Sequence, residues 1–225
     1  GANLNIVGPD GHTPLQQAVL SKRVMTVAQL LVLRKRGNMV STDNLNRSFV
    51  YAISSLARFE ANTKLTAIIK ILLYKKADPD STFNDVGLRR VAPLHDVTCI
   101  GSTELVAALI EAKATVNLRS LRNRCPLHYA ASAGYVKVAR LLLENRADPN
   151  VVSSNGNTPL LFAAGLPMMN TTGNSKHSQE LVELLLQYGA DPSMRGGSGV
   201  TPLQIALNKK HWGIVEILTA HEAAS

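Results

Sequence analysis

The sequence repeats a short phrase at a fixed spacing. Thr-Pro-Leu or a close variant begins at residues 13, 92, 125, 158 and 201, and prolines 93, 126 and 159 follow one another at intervals of 33 residues. A second phrase, such as Ala147-Asp148-Pro149-Asn150, follows an apolar run in each interval. A period of about 20–50 residues indicates a repeat protein, whose units must stack because none can bury its apolar face alone.

The residues within one interval predict a pair of helices. Thr before Pro favours a helix start, since Thr can cap the helix and Pro in the first turn loses no hydrogen bond. Small residues such as Ala130-Ala131 allow the first helix to sit close to its neighbours, and Gly134 can end it. The Leu141-Leu142-Leu143 run predicts a buried face on a second helix. Asn, Asp, Gly and Pro in the second phrase, which ends each interval, then favour a turn.

The pattern resembles the ankyrin repeat, which has a period of 33 and the signature T-P-L-H-x-A. Five Pro-Leu phrases carry the resemblance, which covers nearly the whole chain; repeat 2 departs from it, with Arg47-Ser48-Phe49 in place of Thr-Pro-Leu. The resemblance implies an all-α fold, an ankyrin-repeat α-solenoid of helix-turn-helix units with β-turn or hairpin fingers. We expect a single domain over 1–225, with residues 1–7 ending a preceding unit and repeats 1 to 6 at approximately 8–40, 41–80, 81–117, 118–150, 151–193 and 194–225.

No motif in the chain predicts catalysis, a cofactor or a metal. Cys99 and Cys125 are 26 residues apart and form no C-x-x-C pair, so zinc ligation is not indicated. His95 and His128 occupy the same place in consecutive repeats, where the resemblance implies a structural hydrogen bond around the turn. The Gly-rich stretch 196–199 is not followed by Gly-Lys-Ser or Gly-Lys-Thr and is interpreted as a turn. We therefore expect a non-enzymatic protein.

Composition narrows the partner and the compartment. Lys and Arg total 24 against 16 Asp and Glu, a net charge of +8 that favours an acidic partner. No apolar run of about 18 residues indicates a transmembrane helix, and the start of the sequence shows no signal peptide. Two cysteines suggest a reducing compartment, so we expect an intracellular protein of the cytoplasm or nucleus.

The resemblance implies protein binding on the concave face, which the fingers and the ends of the inner helices form. Arginine makes bidentate contacts with carboxylates and is enriched at binding hot spots. We therefore expect a scaffold or adaptor within a larger protein that binds another protein, through an acidic segment. The candidate contacts are Leu88, Arg89, Arg90, Arg119, Leu121, Arg122, Arg124, Asn155, Asn157 and Arg195.

Three alternatives remain open from the sequence. The arginines could form a solvated basic rim that only confers solubility. The chain could instead be a structural subunit or spacer of a large assembly, contacting it through inter-helix insertions such as 165–178. Electrostatic binding to nucleic acid or anionic lipid is less favoured, because Tyr51, Tyr129 and Phe162 share one inner-helix position that indicates packing rather than base stacking.

Overall fold

The computed structural model describes residues 3–32, 39–58, 62–82, 91–165 and 175–224. These residues contain α-helices and turns, and no strand is found among them. Among the described residues, no helix combines the length and the hydropathy that a membrane-spanning segment needs. The helices are α1 Pro14–Leu20, α2 Val24–Val32, α3 Thr42–Arg58, α4 Thr63–Tyr74, α5 Pro93–Ile100, α6 Thr103–Glu111, α7 Pro126–Ala133, α8 Val136–Glu144, α9 Pro159–Ala164, α10 Ser175–Gln187, α11 Pro202–Lys209 and α12 Trp212–Ala224.

Every Pro-Leu phrase begins a helix, and threonine caps three of them. The hydroxyls of Thr13, Thr158 and Thr201 each accept a hydrogen bond from the backbone N–H three residues later, at 3.3 Å. In α1 and α11 a glutamine at that third position returns the bond, its side-chain oxygen accepting from the N–H of the threonine. These reciprocal bonds satisfy donors that a helix start otherwise leaves unpaired.

Cys125 holds the capping position of α7 with a thiol, which is a weaker acceptor than a hydroxyl. We expect Cys125→Thr to raise the free energy of unfolding by about 0.5–1 kcal/mol, because a stronger acceptor then caps the helix. Chemical denaturation of the two proteins measures the difference. Thr158→Cys is the converse control and should lower stability by a similar amount; stabilisation by both changes, or by neither, contradicts the explanation.

The chain forms two compact bodies. The N-terminal body comprises residues 1–100 and 104–114, and the C-terminal body comprises 101–103 and 115–225. In the N-terminal body α1 packs on α2 and α3, α2 packs on α4, and α3 packs on α4 and α5. Phe49, Ile53, Leu65, Ile68 and Leu72 are fully buried there. Lys70 on α4 donates a hydrogen bond to the Glu104 carboxylate on α6, which pairs two outer helices at their exposed edge.

Repeat 2 has a helix where a finger is expected. Helix α3 begins at Thr42, six residues before the position that Pro holds elsewhere. No proline stops the helix from starting early, and the Asn44 side chain bonds the first turn of this helix to the preceding repeat. Its Oδ1 accepts from the Thr13 hydroxyl at 2.6 Å, and its Nδ2 donates to the Leu4 carbonyl at 3.2 Å. The departure of Arg47-Ser48-Phe49 from the repeated phrase therefore marks a real change in local structure.

The C-terminal body stacks three helix pairs. Helix α7 packs on α8 and α9, α9 packs on α10 and α11, and α10 packs on α8 and α12. Leu127, Leu142, Leu160, Leu181 and Leu185 are fully buried between them. This arrangement fixes the spacing of the turns that precede α7, α9 and α11, which carry most of the predicted contact residues.

An asparagine at the end of a repeat binds the corresponding turn of the next one. Asn117 accepts from the N–H of Asp148 at 2.9 Å and donates to the Arg146 carbonyl at 2.9 Å. Asn150 repeats both bonds one unit later, with the N–H of Asp191 and the carbonyl of Gly189. Because one side chain pairs two backbone groups, it fixes the register of neighbouring turns. We call these two residues the asparagine clamps.

Candidate functional site

Seven of the ten predicted contact residues lie on three turns of the C-terminal body. We call these turns finger 4 (residues 119–124), finger 5 (152–157) and finger 6 (195–200). Arg119, Leu121, Arg122 and Arg124 lie on finger 4, Asn155 and Asn157 on finger 5, and Arg195 on finger 6. The other three predicted residues, Leu88, Arg89 and Arg90, and residues 166–174 of the insertion lie outside the described residues.

The three fingers share one backbone geometry. In each, the second residue of the finger donates its N–H to the carbonyl four residues later, and its own carbonyl accepts from the N–H three residues later. These bonds join Ser120 with Arg124 and Asn123, Ser153 with Asn157 and Gly156, and Gly196 with Val200 and Gly199, at 2.8–3.0 Å. The turn predicted for the Gly-rich stretch is confirmed. The residue before the last has a positive φ, as glycine favours: Gly156 (+74°), Gly199 (+78°) and Asn123 (+54°).

Neighbouring fingers are joined to each other. The N–H of Ser154 on finger 5 donates to the Arg122 carbonyl on finger 4 at 3.0 Å. The Asn123 side chain donates to the Val152 carbonyl at 3.0 Å. Fingers 5 and 6 approach so closely that a Cβ on Gly156 would lie 2.6 Å from the backbone nitrogen of Gly197. The fingers therefore form one braced surface rather than three independent loops.

The four arginines of this surface differ in how they are held. Arg119 Nη1 lies 3.4 Å from the Val152 carbonyl, to which it donates. The Arg124 guanidinium carbon lies 4.6 Å from the centroid of the Phe162 ring, a cation–π contact. Arg195 donates to the Gly199 carbonyl of its own finger at 2.8 Å. Arg122 is exposed at the tip of finger 4. Two cations of finger 4 are thus positioned by finger 5 and helix α9.

His128 links finger 4 to finger 5 beneath this surface. Its Nδ1 accepts from the Cys125 N–H at 3.1 Å, so its Nε2 carries the proton and donates to the Asn157 carbonyl at 3.1 Å. Its ring also packs edge-on against Phe162, with 5.8 Å between centroids. Burial lowers the pKa of His128 to about 4, and the charges of Arg124 and Arg119 act in the same direction. The neutral imidazole is therefore structural, as the resemblance implied.

The described residues offer no evident catalytic or metal centre. Cys125 is fully buried, and burial raises the pKa of its thiol, which disfavours the nucleophilic thiolate. No group of three or more His, Cys, Asp and Glu side chains within the described part of the chain could hold a metal ion. What the three fingers offer chemically is a set of hydrogen-bond donors and positive charge.

Charge is segregated in the C-terminal body. Residues 118–124, 151–157 and 194–200 contain four arginines and no acid. The seven acidic residues of this body lie on helices α8, α10 and α12 or in the turns that follow α8 and α10: Glu144, Asp148, Glu180, Glu183, Asp191, Glu216 and Glu222. The positive charge on the fingers is therefore not neutralised by acids within the fingers themselves.

Sequence reasoning missed the role of Asn123. The comparable position is glycine in fingers 5 and 6, and also in the turn of residues 8–12 of the N-terminal body, where Gly11 has a φ of +77°. Asn123 holds the same conformation and adds the side-chain bond to Val152. The sequence carries one signal for this role: Asn123 aligns with a glycine in each of the other turns when the turns are compared residue by residue.

Comparison of the sequence with known protein families agrees with this architecture. A family model described as ankyrin repeats (3 copies) matches residues 55–153 and 94–194, which together span more than half of the 225 residues. No curated protein matches the chain. Ankyrin repeats are generally protein–protein interaction modules and are typically non-enzymatic. The helix pairs begin at Pro-Leu phrases, and paired backbone bonds close the fingers. Together with the matching family model, these features show that the chain belongs to the ankyrin-repeat family.

Proposed function

We propose that the chain is a recognition module, a scaffold or adaptor, that binds an acidic segment of another protein on fingers 4 to 6. The observation that carries the proposal is the charge segregation: four arginines and no acid on three neighbouring fingers. Arg119 and Arg124 are already positioned by Val152 and Phe162, so binding costs less side-chain entropy there than at unrestrained cations. Planar guanidinium groups suit carboxylates, which they bind through two parallel hydrogen bonds.

We expect the double variant Arg119→Gln/Arg122→Gln to weaken binding of a short fluorescent peptide of alternating glutamate and serine by about tenfold or more. Fluorescence anisotropy over a salt series measures the affinity and its electrostatic part. The matched control is Lys137→Gln/Lys176→Gln, which removes the same charge from exposed sites on α8 and α10. Circular dichroism confirms that both variants fold.

The two variants separate a site from general attraction. Loss confined to the arginine variant supports the finger surface. Equal losses in both variants would mean that only net charge matters, which is the solvated-rim alternative. Tighter binding of a single-stranded oligonucleotide than of the peptide, with the steep salt dependence of phosphate contacts, would favour nucleic acid instead.

A further inference from the structure

Four turns of one geometry allow their tips to be compared position by position. Each tip consists of the two residues between the bonded ends of the turn. Three of the tips carry small or polar residues, as turns usually do: Pro9-Asp10, Ser154-Asn155 and Gly197-Ser198. Finger 4 carries Leu121-Arg122, and the Leu121 side chain is 72% exposed. A leucine at this position gains little from burial within the chain, so its side chain is available to a partner.

Finger 4 is also braced by finger 5 on both flanks of its tip. Asn123 and Arg119 both donate to the Val152 carbonyl, and the Arg122 carbonyl accepts from the N–H of Ser154. Asn123 makes its bond from a positive φ, a conformation that costs other residues more than glycine. The three bonds hold Leu121 and Arg122 in place from both sides of the turn.

The geometry points to the tip of finger 4 as the anchor of the recognition surface, with Asn123 as its positioning residue and a partner segment that combines an apolar side chain with carboxylates. This inference rests on the proposed function and narrows the partner class. Exposed leucine beside arginine offers a contact that a purely acidic tail or a phosphate backbone cannot use. Finger 5 places Asn155 beside this tip, and finger 6 places Gly197 and Ser198 on the far side of finger 5. These small or polar residues leave room for an extended segment.

Two peptides of equal charge test the partner chemistry. One alternates glutamate and serine, and the other has leucine in place of two serines. We expect the leucine peptide to bind the wild-type chain about tenfold more tightly, because it covers Leu121. Leu121→Ser should abolish this preference, so that the two peptides bind the variant with equal affinity. Leu207→Ser, at an exposed leucine on α11, is the matched control and should keep the preference.

Asn123→Gly tests the brace separately from the fold. Glycine suits the positive φ and offsets the loss of the bond to Val152, so the melting temperature should stay nearly unchanged. Affinity for the leucine peptide should nevertheless fall about fivefold, because the tip of finger 4 is no longer held. If Asn123 only stabilised the fold, its replacement would not lower the peptide affinity while the melting temperature stayed the same.

The outcomes distinguish this inference from the function on which it rests. If the wild-type chain binds neither peptide, the proposed function fails and the inference fails with it. If both peptides bind equally and both depend on Arg119 and Arg122, the function stands and the anchor is overturned. An unchanged preference in Leu121→Ser, or unchanged affinity in Asn123→Gly, overturns the corresponding part.

Discussion

Gly156→Ala should lower the free energy of unfolding of the C-terminal body by about 3 kcal/mol. The new Cβ would lie 2.6 Å from the backbone nitrogen and 2.7 Å from the Cα of Gly197. These are backbone atoms, so they can move only if finger 6 separates from finger 5. The positive φ of +74° adds strain for any residue with a Cβ. Urea denaturation followed by circular dichroism measures the loss.

Two control variants divide the effect into its causes. Gly199 has a nearly equal φ of +78° and nothing within 4 Å of its Cβ position, so Gly199→Ala should cost about 1 kcal/mol from strain alone. A Cβ on Gly213 would overlap Gln179 Nε2, but that atom is the end of a flexible side chain that can rotate away. Gly213→Ala should therefore cost less than Gly156→Ala. Equal losses for Gly156→Ala and Gly199→Ala would show that the fingers separate easily.

The stability of the C-terminal body should fall by about 2 kcal/mol between pH 7 and pH 5 because of His128 alone. The pKa of His128 is about 4 in the folded protein, against an ordinary value of 6.5 for histidine, because burial disfavours the charged ring. The unfolded chain therefore takes up the proton first as the pH falls. The contribution is present in full above pH 6.5 and is lost progressively as the pH approaches 4.

His128→Gln isolates this contribution from the other titrating groups. Glutamine already holds the same position in α1 and α11, where Gln16 and Gln204 accept from the capping N–H at 2.8 and 2.9 Å. The variant keeps the cap and cannot titrate, although it loses the bond to Asn157. The stability gap between wild type and variant should shrink by about 2 kcal/mol from pH 7 to pH 5. If the free energies of unfolding of wild type and variant changed by the same amount from pH 7 to pH 5, the assignment to His128 would be contradicted.

The starts of the helices could be predicted from the sequence because their causes are local. Proline, threonine and glycine act through their own backbone and their nearest neighbours, so Thr158-Pro159 begins a helix and Gly134 ends one without reference to other repeats. The early start of α3 could not be predicted in the same way. It depends on Asn44 reaching Leu4 and Thr13, which lie 40 and 31 residues earlier.

The candidate site was predicted in composition but not in arrangement. The arginines of finger 4 were identified by their position in the repeat, whereas the stacking of Arg124 on Phe162 depends on packing between repeats. The bond from Arg195 to the Gly199 carbonyl of its own finger likewise could not be predicted from the sequence. The carbonyl of Asn157 accepts from the His128 ring and from the N–H of Ser153, and neither bond could be predicted from the sequence.

The asparagine clamps tolerate very different lengths of chain between the groups they join. Asn117 binds the N–H 31 residues later, and Asn150 binds the N–H 41 residues later, at nearly the same distances. The extra ten residues lie between the start of α9 and the end of α10, where the connection is longer and α10 has 13 residues against 9 in α8. This stretch does not set the register of the turns. This connection is therefore a natural insertion point for protein engineering. A tag, a reporter domain or a second binding loop placed there should leave the stacking of repeats 4 to 6 intact.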